Sequence, residues 1–279
     1  MRLPLELLLL LLLLGLCNTQ HGNKRSFSDL VSQDLGFGEE VSEDTEDMST
    51  TILRMSNGSS EFLFEGDLMM PKTRSARRCV RRPHRCLWPR NSHGYVEVPY
   101  ILSNNYDYSE KSEISRAMKD LESETCIRFV PRHKQQGYLS IEPKFGCSST
   151  IGYVGDRQIL SLQRAGCVSF GIIQHELMHA LGFHHEHNRS DRDWYITINW
   201  DNINEFYRYN FKRKETNNLG TSYDYSSVMH YGKTAFAKYR TESMTPIPNR
   251  NVPIGQRKRA SPTDFLRINK LYNCRYYRG

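Results

Sequence analysis

Residues 175–186 read His-Glu-Leu-Met-His-Ala-Leu-Gly-Phe-His-His-Glu. On a helix His175 and His179 stand one turn apart on the same face, so both imidazoles reach one cation, with Glu176 beside them. Gly182 adopts the left-handed conformation that stops a helix without steric cost, so the chain doubles back and presents His185 as a third nitrogen ligand. Three neutral histidines leave one position of a tetrahedral zinc open for water, which is the catalytic and not the closed structural arrangement. In a chain of this composition a bare H-E-x-x-H arises by chance in roughly 2 of 100 sequences, whereas adding Gly182 and His185 at their offsets lowers this to roughly 1 in 20,000. The extended pattern therefore outweighs the alternative of two core histidines and a solvated glutamate. His184 points differently from His185 on any tight turn and is not counted as a ligand.

Downstream, Ser227-Val228-Met229-His230-Tyr231 follows Tyr223-Asp224-Tyr225. An H-E-x-x-H-x-x-G-x-x-H motif paired with a later methionine turn is the metzincin pattern. With Glu186 after the third histidine and Met-His-Tyr in the turn, the chain resembles the astacin family. The resemblance implies an α+β fold of two lobes: an upper lobe with a twisted sheet and two long helices, an irregular lower lobe, and a horizontal cleft between them. It implies that His175, His179 and His185 bind one zinc ion, that Glu176 is the general base and that Met229 packs beneath the metal. Tyr231 looks like the family's extra tyrosine, which ligates zinc at rest and swings away to stabilise the oxyanion. Taken alone, Met229 would read as a core residue and Tyr231 as a surface aromatic. The chemistry implied is peptide hydrolysis: zinc acidifies water, Glu176 takes the proton and later delivers it to the leaving amine.

Arg2 precedes a nearly pure leucine run from Leu5 to Leu16, too short for a comfortable membrane span and followed by small and polar residues, which reads as a signal peptide over residues 1–19. Its removal discards Cys17 and leaves six cysteines in an oxidising compartment, an even number that reads as three disulfides with many possible pairings. The astacin resemblance selects Cys126 with Cys274 and Cys147 with Cys167. It leaves Cys79 with Cys86, an extra local bridge like that of the six-cysteine branch that includes fish hatching enzymes. The net charge of +7 is divided unevenly. Residues 1–74 hold 6 Lys/Arg against 12 Asp/Glu, so residues 75–279 carry 32 against 19, or +13. The acidic cluster of Glu39, Glu40, Glu43, Asp44, Glu46 and Asp47 reads as a solvated, mobile stretch. A strongly basic secreted body is drawn to acidic matrices, envelopes or glycans, and no nucleic-acid-binding motif accompanies the charge.

Phe64-Glu65-Gly66-Asp67-Leu68, with Pro71-Lys72-Thr73-Arg74 after it, resembles the family's inhibitory prosegment. By that resemblance residues 20–74 form the prosegment and Asp67 is the latency switch, its carboxylate taking the metal position that water needs. Read without the resemblance, Gly66-Asp67 is ordinary turn chemistry. A trypsin-like activating protease cutting after Arg74 would open a catalytic domain of residues 75–279, whose new amino terminus, by family likeness, approaches Glu186. Arg77, Arg78, Arg81 and Arg82 offer competing sites. Asn57-Gly58-Ser59 and Asn188-Arg189-Ser190 are glycan acceptor tripeptides.

Tyr95, Val96, Val98 and Ile101 predict a strand, and Ile114, Ala117, Met118 and Leu121 fall at the i, i+3, i+4, i+7 positions of an amphipathic helix. Strands are expected around Ile127–Val130 and Leu139–Ile141, the active-site helix over 168–181, and few long elements after Gly182, where Pro246, Pro248 and Pro253 interrupt. The resemblance places a substrate-binding edge strand near Cys147 to Tyr153 and leaves only Arg275 to Gly279 beyond the last cysteine. Lys233, Lys238 and Arg250 are candidates for favouring an acidic residue past the scissile bond, or are simply exposed. The sequence reads as a secreted, monomeric zinc endopeptidase made as a zymogen, with secretory granules as one storage route, that acts on an extracellular protein coat as hatching enzymes do. The alternatives are a broad digestive or tissue protease and a matrix-binding protein without catalysis, which the intact Glu176 disfavours.

Overall fold

The computed structural model describes residues 47–56, 63–69 and 86–275. The expected signal peptide, Asn57, the Arg74 cleavage site and Cys79 lie outside the described residues. Cys86 is disulfide-bonded.

The central sheet has seven strands: β1 (Leu63–Phe64), β2 (Leu68–Met69), β3 (Val96–Leu102), β4 (Ile127–Pro131), β5 (Tyr138–Glu142), β6 (Cys147–Thr150) and β7 (Arg157–Leu162), in the order β1-β2-β6-β7-β5-β3-β4. β4, β3, β5 and β7 run parallel to one another, and β6 returns antiparallel to β7. Alternation in Ile127, Phe129, Leu139 and Ile141 buries one face of these strands in the main core. β2 then joins β6 in parallel, so the edge expected to receive substrate is covered by residues 68–69.

Four helices longer than two turns are described: α1 (Met48–Ser56), α2 (Tyr108–Glu124), α3 (Phe170–Ala180) and α4 (Pro262–Leu271). The start of α2 is fixed by a capping box in which Asp107 accepts from the Glu110 N–H at 3.0 Å and Glu110 accepts from the Asp107 N–H at 2.8 Å. Its predicted stripe, Ile114, Ala117, Met118 and Leu121, is buried. α3 begins two residues later than expected and is buried along nearly its whole length. Its approach to the body needs glycine at position 171, where a Cβ would lie 1.9 Å from the Arg257 carbonyl oxygen. α4 was not anticipated from the sequence, although Ser261-Pro262-Thr263-Asp264 forms a second capping box with Pro at the first helical turn. α1 also corrects an expectation: Asp47, read with the solvated acidic cluster, instead accepts from the Thr50 N–H at 3.0 Å and starts a helix whose Met48, Ile52 and Met55 enter the main core.

Two disulfides bind these pieces, Cys126–Cys274 with Cα atoms 5.4 Å apart and Cys147–Cys167 with Cα atoms 5.5 Å apart. The first joins the start of β4 to the segment after α4, the second joins β6 to the turn leading into α3. Between α3 and α4 the chain forms 3-10 turns and two three-residue strands, β8 (Ile196–Ile198) and β9 (Met244–Pro246), around a second apolar cluster that includes Phe211, Tyr231 and Phe236. This is the two-lobed α+β division expected. Among the described residues no helix is long and apolar enough to cross a membrane.

Candidate metal centre

α3 presents His175 and His179 from one face, as a helix must at that spacing. At its end Gly182 adopts φ +105°, and the Gly182 and Phe183 N–H groups donate to the carbonyls of His179 and Met178 at 2.8 and 3.1 Å. That reversal carries His185 back to the other two. The three rings lie 4.6, 4.7 and 5.2 Å apart, centroid to centroid. Each ring is fixed through its Nδ1–H, which donates to the Val228 carbonyl for His175 (2.8 Å), to the Phe183 carbonyl for His179 (2.7 Å) and to the Glu65 carboxylate for His185 (2.8 Å). These bonds select the tautomer with a free Nε2 lone pair, and all three Nε2 atoms face one point.

At that point stands Asp67. Its Oδ2 is 3.0 Å from Nε2 of both His175 and His185, and its Oδ1 is 3.6 Å from Nε2 of His179. The four ligand atoms lie within 4.8 Å of one another, and all four residues are buried. Asp67 Oδ1 and His179 Nε2 have no hydrogen-bond partner, nor has either oxygen of Glu176. A cation at the centre satisfies the first two, and three imidazoles with one carboxylate are a donor set that zinc accepts. Burial alone would push the Asp67 carboxyl up, but positive charge among its neighbours, borne by His185 and His179 when they are protonated in place of binding a cation, and the histidine hydrogen bonds hold it well below the usual carboxylate range. Burial, and then the negative charge of Asp67, push Glu176 well above its ordinary value.

The Glu65-Gly66 turn makes this approach possible, with positive φ of 55° and 82°. A Cβ on Gly66 would sit 2.5 Å from Leu53. Glu65 was not singled out by the sequence reading, yet its carboxylate joins His185 to Lys214, whose Nζ is 2.6 Å away, and its N–H donates to Asn210. The Tyr231 hydroxyl donates to the Glu65 carbonyl, and its ring stacks on buried His187 at 3.8 Å. In this form of the chain that hydroxyl is engaged by residue 65. His184 is not among the clustered ligands.

The methionine turn is held from below. Buried Asp264, on the first turn of α4, accepts from the Ser227 hydroxyl at 2.6 Å and the Val228 N–H at 2.9 Å. Val228 in turn holds His175, and the buried Met229 offers its carbonyl to the Glu186 N–H at 2.9 Å, so the turn braces the first and third histidines at once. Glu186 is gripped by Arg267, with Nη1 to Oε2 at 2.6 Å and Nη2 to Oε1 at 2.8 Å, while Arg189 stands 3.4 Å away. The predicted partner of Glu186, a new amino terminus near residue 75, lies outside the described residues. Because Glu186 and Arg267 are both buried, Arg267→Ala leaves a buried carboxylate underpaired and is expected to cost about 3–5 kcal/mol. Urea unfolding reads this directly, and a loss under about 1 kcal/mol, the value of an exposed pair, would contradict it.

Other candidates separate. Lys233 and Arg250 converge on Glu242, at 4.0 and 3.3 Å, and Lys238 donates to the Asp201 carbonyl. The side-chain amide of Asn188 is buried and donates to the carbonyls of Asn210 and Lys212 at 2.8 and 2.9 Å, so the folded chain does not offer it as a glycan acceptor.

A family model described as Astacin, a family of peptidases, matches residues 85–273. The low choriolytic enzyme of Oryzias latipes is 53% identical over 267 residues, 95% of this chain and 97% of its own length. High choriolytic enzyme 1 of the same species is 50% identical over 234 residues, 84% of this chain and 86% of its own. A solved structure of high choriolytic enzyme 1, a hatching enzyme zinc-protease from the medaka fish, aligns with a TM-score of 0.66 at 50% identity, over 74% of this chain and 99% of that one.

Proposed function

Since the chain belongs to the astacin family and is a zinc metalloendopeptidase, we propose that it is a secreted hatching-type protease, kept latent by Asp67 until a trypsin-like enzyme removes the leader, that opens an extracellular protein coat. The observation that carries the latency is the Asp67 carboxylate set among His175, His179 and His185. The coat is supported by the resemblance to choriolytic enzymes and by the +13 charge of residues 75–279, which draws the enzyme to acidic envelope material.

His175, His179 and His185 would hold the zinc. When bound, zinc supplies Lewis acidity that polarises the peptide carbonyl and lowers the pKa of water. Glu176 takes the proton of the attacking water and passes it to the departing amine. With no other hydrogen-bond partner for either carboxylate oxygen, nothing in the protein competes for that proton. Once residue 65 leaves, the Tyr231 hydroxyl is free to donate to the oxyanion. β6 then regains a free edge on which an extended substrate hydrogen-bonds through its main chain, the role that residues 67–69 hold in latency.

The test is isolated fish egg envelopes incubated with processed protein. Soluble envelope fragments should appear, disappear on chelation and return with added zinc. Casein cleavage with intact envelopes would instead identify a digestive or tissue protease, and release of no fragments from either would reject catalysis by this site.

A further inference from the structure

Helix α1 is held to the body by contacts that do not involve the histidines. Its floor is made of glycines. A Cβ on Gly232 would lie 2.1 Å from Cγ of Asp47, one on Gly166 would lie 2.5 Å from the Met55 sulfur, and one on Gly146 would lie 2.7 Å from the Ser56 hydroxyl. Backbone and side chains then fasten the helix: the Met48 N–H donates to the Gly255 carbonyl at 2.8 Å, the Gly232 N–H to the Ser49 hydroxyl at 2.9 Å, and Arg257 to the Thr51 hydroxyl at 3.0 Å. Met48, Ile52 and Met55 lie within the main core together with residues of α3.

We propose that this glycine-floored seat is a docking surface for residues 47–56 that retains the cut leader on the enzyme, so that release of the segment, and not the cut alone, completes activation. The inference rests on the latency reading above. Every contact just named is made by residues on the amino-terminal side of Arg74, so a cut there breaks none of them and removes only the covalent tether. The two-residue strands β1 and β2 make a small ladder by themselves. A nine-residue helix is marginal alone in water, so α1 keeps its form by staying seated, and leaving requires the helix to unwind and expose three apolar side chains. The seat is shaped for one class of occupant: a short helix with an aspartate cap and apolar residues at the spacing of Met48, Ile52 and Met55.

The experiment opens the full-length chain with trypsin and confirms by mass and terminal sequencing that the cut falls at Arg74 and that residues 47–69 remain intact. The fragment should co-elute with the body on size exclusion, and specific activity should climb as the opened sample is diluted. The full-length Ile52→Asp chain, opened in the same way, should hold its fragment about 10- to 100-fold more weakly and show full activity without dilution. The processed enzyme is unchanged by this substitution, because the residue departs with the leader. Gly232→Ala acts from the other side of the contact, and its readout is the ratio of concentrated to dilute activity within the one variant. Immediate separation of the wild-type fragment, with specific activity constant at every dilution, overturns the seat. Full activity of the chain before any cut overturns latency itself, which is a different result and is read before trypsin is added.

Discussion

Glu176→Gln in the processed enzyme is expected to lower kcat by about 100- to 10,000-fold, the range a positioned general base supplies. Glutamine keeps the shape of the side chain but cannot take the proton. The structure makes this a clean substitution. With the leader in place neither carboxylate oxygen of Glu176 has a protein hydrogen-bond partner, so the change orphans no protein neighbour. Stability and zinc content should therefore hold while turnover falls. Kinetics on a peptide substrate, with zinc measured on the same sample, separates this from unfolding. A kcat within about tenfold of the parent, with zinc bound, would remove Glu176 from the proton path.

The second large effect is loss of latency in Asp67→Ala. In the parent the Asp67 carboxylate stands 3.0 Å from Nε2 of both His175 and His185, where it would complete the donor set of a zinc held by the three histidines. A carboxylate so placed takes the position that the attacking water needs. Alanine removes that grip while α1 and Glu65 still retain the segment. The unprocessed variant should consequently cleave peptide at least about tenfold faster than the unprocessed parent, though more slowly than the processed enzyme. An unprocessed Asp67→Ala chain as silent as its parent would move the inhibitory role from Asp67 to the segment's steric bulk.

How much of this was legible in the sequence follows from how local each signal is. α3, Gly182 and His185 are close neighbours along the chain, and helical spacing with a glycine stop is enough to draw them together on paper. The stripe in α2 is equally local. α4 was missed although its capping box and Pro262 were present, because the prolines just upstream dominated the reading of that region. Arg267 lies 81 residues from Glu186, and Asp264 lies 37 residues from Ser227. No periodicity links such pairs, and each is chosen only when α4 packs under the methionine turn. Glu65 was hidden by its neighbours, since Gly66-Asp67 explains a turn without any role for the residue before it. α1 was masked by composition: Glu39, Glu40, Glu43, Asp44 and Glu46 precede Asp47, and their charge obscured the apolar spacing of Met48, Ile52 and Met55.

The most direct test measures zinc and peptidase activity on one preparation before and after removal of the leader. About one zinc per chain is expected at both stages, with casein hydrolysis only at the second and abolished by chelation. An intact chain that hydrolyses casein as fast as the processed one, or a processed chain that stays active without zinc, would contradict this expectation.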